Sequence, residues 1–342
     1  MKAIVIERHG GPEVLQYKEV PKPEIGHGEL RVRVRACALN HLDLWMRRGI
    51  PGVEIPLPRI PGSDIAGEVA EVGAGVNHVR PGDPVVVSPG VGCNKCDACL
   101  AGLDNTCRHY GLYGESFDGG CAEYVRATEV NVLPLPAGLS FEEAAAVPLV
   151  FLTSWHMLMT RAGLKPGEDV LILGAGSGIG SAAIQIAKFA GARVLATAGS
   201  DEKLAKAKEL GADALINHNT QNIAEVVKEL THRRGVDVVF EHVGAATWEA
   251  SMRSLAPTGR LVTCGATTGP EATIDIRRLF RNQWTLLGSF MGTRGELRTV
   301  LKLIGQGKLR PVVDRVFPLA EARQAHEHLE KREQFGKVVL RV

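Results

Sequence analysis

The sequence lacks any apolar run long enough to cross a bilayer. Its most apolar window, residues 144–152, is interrupted by Pro148, whereas a spanning helix needs about 20 consecutive apolar residues. The opening "MKAIVIERHG" reaches Glu7 after a four-residue apolar run, too short for the core of a signal peptide. An excess of one charge is missing too: 40 Lys and Arg against 38 Asp and Glu leave a net charge of +2. Short basic patches such as Arg277, Arg278 and Arg281 are separated by apolar residues and read as a solvated face. Nucleic acid and membrane are thereby set aside as main partners. There are no internal repeats and no low-complexity linker. Cysteine is sparse, at seven, and four of these fall between Cys93 and Cys107. That distribution fits metal binding in a reducing compartment better than a disulfide framework, so the cytoplasm is the expected location.

What is present is the composition of a globular protein, 45% hydrophobic and 23% charged, over 342 residues, enough for two domains. The first third reads as short strands cut by Gly and Pro: "KAIVIE", "ELRVRVRACAL", "IAGEVAEVG" and "DPVVVS". After Pro166 and Gly167 the texture changes. "EDVLILGAG", "ARVLATAGS", "DALIN", "VDVVFEHVG" and "RLVTCGA" read as strands, and "GSAAIQIAKFAG", "DEKLAKAKELGA" and "TWEASMRSLAPTG" as helices between them. Such alternation implies an α/β fold with a doubly wound parallel sheet covered on both faces. The tail "GKVVLRV" is again a strand, expected to rejoin the first domain.

"VLILGAGSGIGSAAIQIA" leads from a strand through Gly174, Gly176, Ser177, Gly178, Ile179 and Gly180 into a helix. Glycines allow the tight turn and the close approach of a pyrophosphate, and the helix start offers free N–H groups and a positive dipole end. The spacing is GxxxGxG rather than GxGxxG, but its place in a βαβ unit reads as dinucleotide binding. An acid at the end of the second strand would hold a ribose 2′-hydroxyl. Here that strand ends in Ala198, Gly199 and Ser200, and Asp201 reads as a helix N-cap. Ser200 and Lys203 can hold a 2′-phosphate, so NADP(H) is favoured over NAD(H), although Lys203 also reads as an ordinary solvent-facing lysine.

Taken together, "GHGELRVRVRACALNHLDLWMRRG", "PGSDIAGEVAEVG", "PGDPVVV", the four cysteines, "GGCAEYV", "LTSWHML", "LKPGEDVLILGAGSGIG" and "AKAKELGAD" resemble the medium-chain dehydrogenase/reductase superfamily of zinc alcohol dehydrogenases and quinone oxidoreductases. The resemblance covers nearly the whole chain. It implies a GroES-like β-rich catalytic domain over residues 1–145, with a zinc lobe at about 90–110. A Rossmann coenzyme domain over 146–289 would follow, and residues 290–342 would complete the catalytic domain, with substrate between the two. It also implies cofactor contacts at Val243, Gly244, Gly265, Gly288 and Phe290, and pairing into a homodimer or homotetramer, with "NQWTLLGSF" as a candidate edge strand.

Cys93, Cys96, Cys99 and Cys107 follow Cx2Cx2Cx7C. Four thiolates fill a tetrahedral Zn²⁺ and leave no open position, which marks a structural site; the resemblance favours this zinc over an iron–sulfur cluster. A catalytic zinc needs an open position. Zinc alcohol dehydrogenases hold theirs with a Cys, a His-Glu pair and a further Cys or acid, and the matching positions here are Asn40, Ser63 with Asp64, and Leu149. Asn, Ser and Leu do not replace thiolate and imidazole ligands. An improvised site from His41, Asp43 and Asp64 is disfavoured, because His41 and Asp43 read as alternating on a strand or lying on a turn.

The expected activity is hydride transfer between NAD(P)H and a carbonyl-type substrate, as in quinone and enone reductases that lack a catalytic zinc. Asn40 is the candidate oxyanion donor, His41 a phosphate contact or proton donor, and Thr153 a neighbour of the nicotinamide, while His156 reads as a helix residue facing another element. Apolar candidates for the substrate pocket are Trp45, Ile50, Trp155 and Phe290. The alternatives are an NAD(P)-dependent alcohol dehydrogenase and a non-enzymatic dinucleotide-binding protein.

Overall fold

The computed structural model describes residues 1–50, 52 and 54–342. The chain begins with β1 (Lys2–Ile6), β2 (Leu15–Glu19), β3 (Glu29–Ala38), α1 (His41–Arg48), β4 (Asp64–Val72) and β5 (Pro84–Val87). A lobe follows, built from β6 (Gly90–Val91), α2 (Asp97–Leu100) and β7 (Gly111–Leu112), and then β8 (Tyr124–Thr128), β9 (Val132–Pro134) and α3 (Phe141–Ala145). Next come α4 (Pro148–Trp155), β10 (Asp169–Ile172), α5 (Gly178–Phe189), β11 (Arg193–Ala198), α6 (Asp201–Glu209), β12 (Ala214–Asn217) and α7 (Ile223–Leu230). They lead into β13 (Val236–Glu241), α8 (Ala245–Ser254), β14 (Leu255–Thr263), α9 (Ile276–Arg281) and β15 (Thr285–Gly288). The last stretch holds α10 (Arg294–Gly305), β16 (Val313–Pro318), α11 (Ala322–Glu330) and β17 (Lys337–Arg341). The chain forms two compact units, Met1–Leu149 with Thr293–Val342, and Val150–Gly292.

In the first unit a seven-stranded sheet runs β16-β17-β3-β4-β5-β9, with β8 also paired to β3. The alternation in "ELRVRVRACA" explains β3: Leu30, Val32 and Val34 are buried while Arg31, Arg33 and Arg35 lie less buried between them. The C-terminal strand β17 is antiparallel to β3, with Val339 opposite Ala38, and Ala38 in turn faces Asp64 on β4. Residues two apart on a strand share a face. Lys337, Asn40 just beyond β3, and Asp64 therefore project from one face at adjoining positions. The tail thus supplies an interior strand next to β3, and the sheet depends on the last residues of the chain.

In the second unit six parallel strands run β12-β11-β10-β13-β14-β15. Val170, Leu171 and Ile172 of β10 are all fully buried, which is why this strand reads as an unbroken apolar run instead of alternating. The order reverses direction beside β10, and the turn that follows β10 lies at that switch point, where doubly wound sheets bind ligands.

The helix pair α1 and α11 of the first unit is held by a buried cation. Arg47 has no exposed surface; its guanidinium binds Glu330, His326 Nδ1 at 3.4 Å and the Gly10 carbonyl at 3.3 Å. Burial and the neighbouring Arg47 lower the His326 pKa to about 3, so His326 is neutral. Glu330→Ala leaves the Arg47 charge buried and unpaired and is expected to destabilise the protein by about 3 kcal/mol. Arg48→Ala, which removes the exposed partner of the same carboxylate, is expected to cost under about 1 kcal/mol in chemical denaturation.

Candidate functional site

A buried polar cluster gathers on the shared face of β17, β3 and β4. Asn40, Asp64 and Lys337 are 7%, 0% and 3% exposed. The Lys337 ammonium donates to Asn40 Oδ1 at 2.5 Å and to Asp64 Oδ2 at 2.8 Å. Asn40 Nδ2 donates to Asp64 Oδ2 at 2.9 Å, and the Leu149 backbone N–H donates to Asp64 Oδ1 at 2.7 Å. Ser63, also fully buried, donates its hydroxyl to the Tyr113 carbonyl at 2.7 Å. Each position expected to have lost a zinc ligand is thus engaged in a protein–protein hydrogen bond, and the cation beside Asp64 is an ammonium.

His41 and Asp43 do not lie on a strand or a turn, as the sequence suggested; they open α1. The extended Asn40 backbone starts the helix, and Asp43 returns to accept its N–H at 2.7 Å. The other Asp43 oxygen accepts from Gly62 N at 2.9 Å. Gly62 stands at φ +102°, and a Cβ there would lie 2.5 Å from Cys37 Sγ, so only glycine brings this N–H to Asp43. Desolvation raises the Asp43 pKa to about 6, opposed by the two N–H donors and the nearby Lys337 charge. The His41 ring meets the edge of Trp45 at 5.9 Å between centroids, and Ile50 is half-buried.

In the second unit the turn after β10 has the form of a phosphate cradle. Ser177 caps α5, its hydroxyl accepting from Gly180 N at 2.9 Å and donating to the Gly174 carbonyl at 2.8 Å. A Cβ on Gly180 would lie 2.3 Å from the Gly174 oxygen, so the strand and helix meet too closely for any side chain. The amides of Gly178 and Ile179 lead the helix, where no carbonyl within it can receive them. The Lys203 stem lies over this turn, its Cδ 2.9 Å from where a Cβ on Gly176 would stand. The N-cap of α6 is Ser200, accepting from Lys203 N at 3.4 Å, and not Asp201. Asp201 is the first helical residue, and its carboxylate accepts from Asn217 Nδ2 at 2.8 Å.

The loop after β13 is organised by a residue the sequence reading passed over. Glu241, fully buried, accepts from Val243 N, Gly244 N, Thr247 Oγ1 and Ser251 Oγ. A Cβ on Gly265 would crowd the His242 carbonyl at 2.9 Å, whereas Gly288 faces open space and its carbonyl accepts from Arg161. Thr153 is buried on α4 with its hydroxyl 3.8 Å from Met291 Sδ. Trp155 packs against Phe189, His156 is buried in a π-helical turn, and Phe290 is 57% exposed.

The lobe of the first unit brings the four cysteines together. The Sγ atoms of Cys93, Cys96, Cys99 and Cys107 all lie within 4.8 Å of one another, and those of Cys96 and Cys107 are 3.8 Å apart. Zn–S bonds of about 2.3 Å set a tetrahedral edge of about 3.8 Å, which the Cys96–Cys107 separation matches, so the donor set and its size fit zinc. Asn94 at φ 58° turns the chain between the first two ligands. Backbone N–H groups from Cys93 and His109 reach Cys107 Sγ at 3.3 and 3.4 Å. The Lys95 N–H leads the effects that lower Cys93 to about 6, while burial raises Cys99 to about 12. Among the described residues no other group of three or more Cys, His, Asp or Glu side chains converges in this way. Asp104 ties the lobe to α10, accepting from Arg294 N at 3.2 Å and pairing with its guanidinium at 3.5 Å.

A surface cavity of about 730 Å³ in the first unit, lined by Tyr113, Phe117 and Tyr124 among others, includes none of the cluster around Lys337. Sequence reasoning missed Lys337 as well. Its one signal was the tail "GKVVLRV", recognisable as a strand but not as the neighbour of Asn40.

Comparison with known proteins agrees with both units. Residues 26–137 match the model of the alcohol dehydrogenase GroES-like domain, and residues 178–306 that of the zinc-binding dehydrogenases. An alcohol dehydrogenase of Geobacillus stearothermophilus is 39% identical over the whole of both chains. A quinone oxidoreductase of Pseudomonas aeruginosa is 34% identical over 99% of each. The crystal structure of an NAD-dependent alcohol dehydrogenase superposes with a TM-score of 0.97 at 48% identity, covering both chains completely. Among the described residues no helix is long and apolar enough to cross a membrane.

Two outcomes follow from this geometry. Cys96→Ser is expected to release zinc and lower the melting temperature by about 5 °C or more, while hydride turnover per folded molecule persists; zinc analysis beside a thermal melt checks both. For Asp43 the folded pKa of about 6 lies above its ordinary 3.8, so the folded state holds the proton more tightly. Its contribution to stability is therefore complete below about pH 4 and is lost as pH rises through about 6. Urea midpoints measured across that window are expected to lose this slope in Asp43→Asn, which is also less stable at every pH because one backbone N–H loses its acceptor.

Proposed function

The chain belongs to the medium-chain dehydrogenase/reductase superfamily and is an NAD(P)-dependent oxidoreductase with a four-cysteine structural zinc site, and from that premise we propose that it reduces quinones or α,β-unsaturated carbonyl compounds with NADPH and without a second, catalytic zinc. The observation that carries the reading is the Lys337 ammonium lying against Asn40 and Asp64. A zinc there would have to displace that ammonium and recruit Asn40, Ser63 and the Leu149 position, which offer an amide, a hydroxyl already donated elsewhere and an aliphatic chain. The residues do not fit the ion.

The nicotinamide supplies the hydride when bound. The chain's own task is to orient the acceptor and stabilise the negative charge that develops on its oxygen. A simple aldehyde needs a Lewis acid for this. A quinone or enone spreads the charge over a conjugated system, so a preorganised amide donor, Asn40 Nδ2, suffices. His41, at the first position of α1, is the proton donor or phosphate contact in this reading, and Thr153 the neighbour of the nicotinamide. Gly174 through Gly180, with Val243, Gly244, Gly265, Gly288 and Phe290, line the cofactor. Lys203 over the phosphate turn and the lack of an acid at the end of β11 support NADP(H). Reduced thiols in the lobe fit the cytoplasm, and β15, at the edge of its sheet, is the pairing edge of a homodimer or homotetramer.

A second reading, an alcohol dehydrogenase, draws on the names of the relatives that match this chain end to end. Metal analysis with a substrate panel separates the two. One zinc per chain, with NADPH-driven reduction of para-benzoquinone or an enone that survives chelation, is expected. Two zincs per chain, with alcohol oxidation abolished by a chelator while the fold persists, would overturn the first reading. Lys203→Ala is expected to raise the KM for NADPH about tenfold, the worth of one charge-assisted hydrogen bond, and to leave that for NADH unchanged.

A further inference from the structure

We infer that Lys337 is the positioning residue of the site: its ammonium fixes and polarises the Asn40 amide so that one Nδ2 hydrogen is held ready for the substrate oxygen. The inference rests on Asn40 being the oxyanion donor and adds the residue that makes it one. An asparagine amide can turn about its last bond, exchanging oxygen for NH2 with little change of shape. Here its orientation is dictated from both sides. The ammonium has only hydrogens to offer, so the amide must present Oδ1 to it, as it does at 2.5 Å. The Asp64 carboxylate only accepts, so the amide must present Nδ2 there, as it does at 2.9 Å. Turning the amide over would set donor against donor and oxygen against oxygen.

The same contacts change the strength of the donor. A cation on the amide oxygen draws electron density from the nitrogen, and hydrogen bonds in a chain polarise one another. All three side chains are at most 7% exposed, so water does little to damp the effect. One Nδ2 hydrogen is taken by Asp64; the other has no acceptor among the described residues, and neither does the third hydrogen on Lys337 Nζ. Lys337 and Asp64 stand on β17 and β4, and Asn40 directly follows β3. The donor is therefore aimed by a sheet and not by a mobile loop.

The competing account is that Lys337 only neutralises the buried Asp64. The pair Lys337→Met with Asp64→Asn, read against Asp64→Asn alone, separates the two: the pair leaves neither charge unpaired, so it folds even if Lys337→Met alone does not, and both variants lack the carboxylate, so the difference between them belongs to Lys337. Turnover is measured on the zinc-loaded enzyme with NADPH and whichever quinone or enone of the panel reacts fastest, with thermal unfolding as the control. Asn40→Ala is expected to lower kcat roughly a hundredfold, as the loss of one oxyanion donor does. The charge-neutral pair is expected to have a kcat about tenfold below that of Asp64→Asn at unchanged KM for NADPH, and to cost nothing further once Asn40 is alanine. A folded charge-neutral pair with the kcat of Asp64→Asn, or a loss that adds in full to that of Asn40→Ala, overturns the role of Lys337 alone. Wild-type kcat in Asn40→Ala overturns the oxyanion reading itself.

Discussion

A lysine ammonium in a protein interior must be matched by acceptors close enough to replace its water, and Lys337 is matched by an amide oxygen and a carboxylate. That requirement ties together three parts of the chain. Asp64 opens β4, Asn40 leads into α1, and Lys337 opens β17 near the C-terminus. The Leu149 amide, on α4, completes the carboxylate. Pulling any one away would strand a charge or an amide in a place without water. The GroES-like sheet therefore does more than support the cluster; the pairing of β17 with β3 creates it. The same register accounts for Asp43, which closes the first turn of α1 and receives Gly62 through a glycine that no other residue could replace.

The four cysteines gather in a separate lobe of the same unit. Four converging thiolates give zinc a closed shell, and Asp104 with Arg294 anchors the lobe to the helix that follows the coenzyme-binding segment in sequence. The positive charge beside Asp64 is a side-chain ammonium of the chain itself. A side-chain ammonium cannot expand its coordination or ionise a bound water as zinc does. It can hold a neighbouring dipole in one orientation, which is what the proposed reduction of a delocalised acceptor asks of it.

The coenzyme unit relies on a different kind of constraint. Its glycines are dictated by contact: Gly180 against the Gly174 carbonyl and Gly265 against that of His242 leave no room for a Cβ. Glu241 then gathers two backbone amides and two hydroxyls into one buried carboxylate, so the loop at Val243 and Gly244 is held by the end of β13. None of these residues is chemically reactive in this role. They fix the backbone of the turns that are proposed to meet the dinucleotide.

Local patterns carry the glycine turn, the parallel sheet and the zinc lobe, because each is written in contiguous residues: an apolar strand, a glycine-rich turn and a cysteine spacing. Those features were legible from the sequence, which also singled out Asn40 and Leu149, two residues the structure joins to Asp64. The misplacement of His41 and Asp43 on a strand or turn came from eight residues too short for helical periodicity to speak clearly, with the cap residue one position ahead. The cap of α6 was misjudged by one position for a similar reason, since Ser200 and Asp201 are both good caps and only the backbone at Ser200 chose between them. Lys337 was out of reach altogether. A lysine before "VVLRV" looks like any strand-opening surface residue, and nothing in 297 residues of separation announces Asn40 as its partner. The sequence by itself determined the family of fold, the coenzyme turn and the closed metal site. Only the tertiary structure decided which cation stands beside Asp64, because strand register across the sheet is a property of the folded chain and not of any stretch of it.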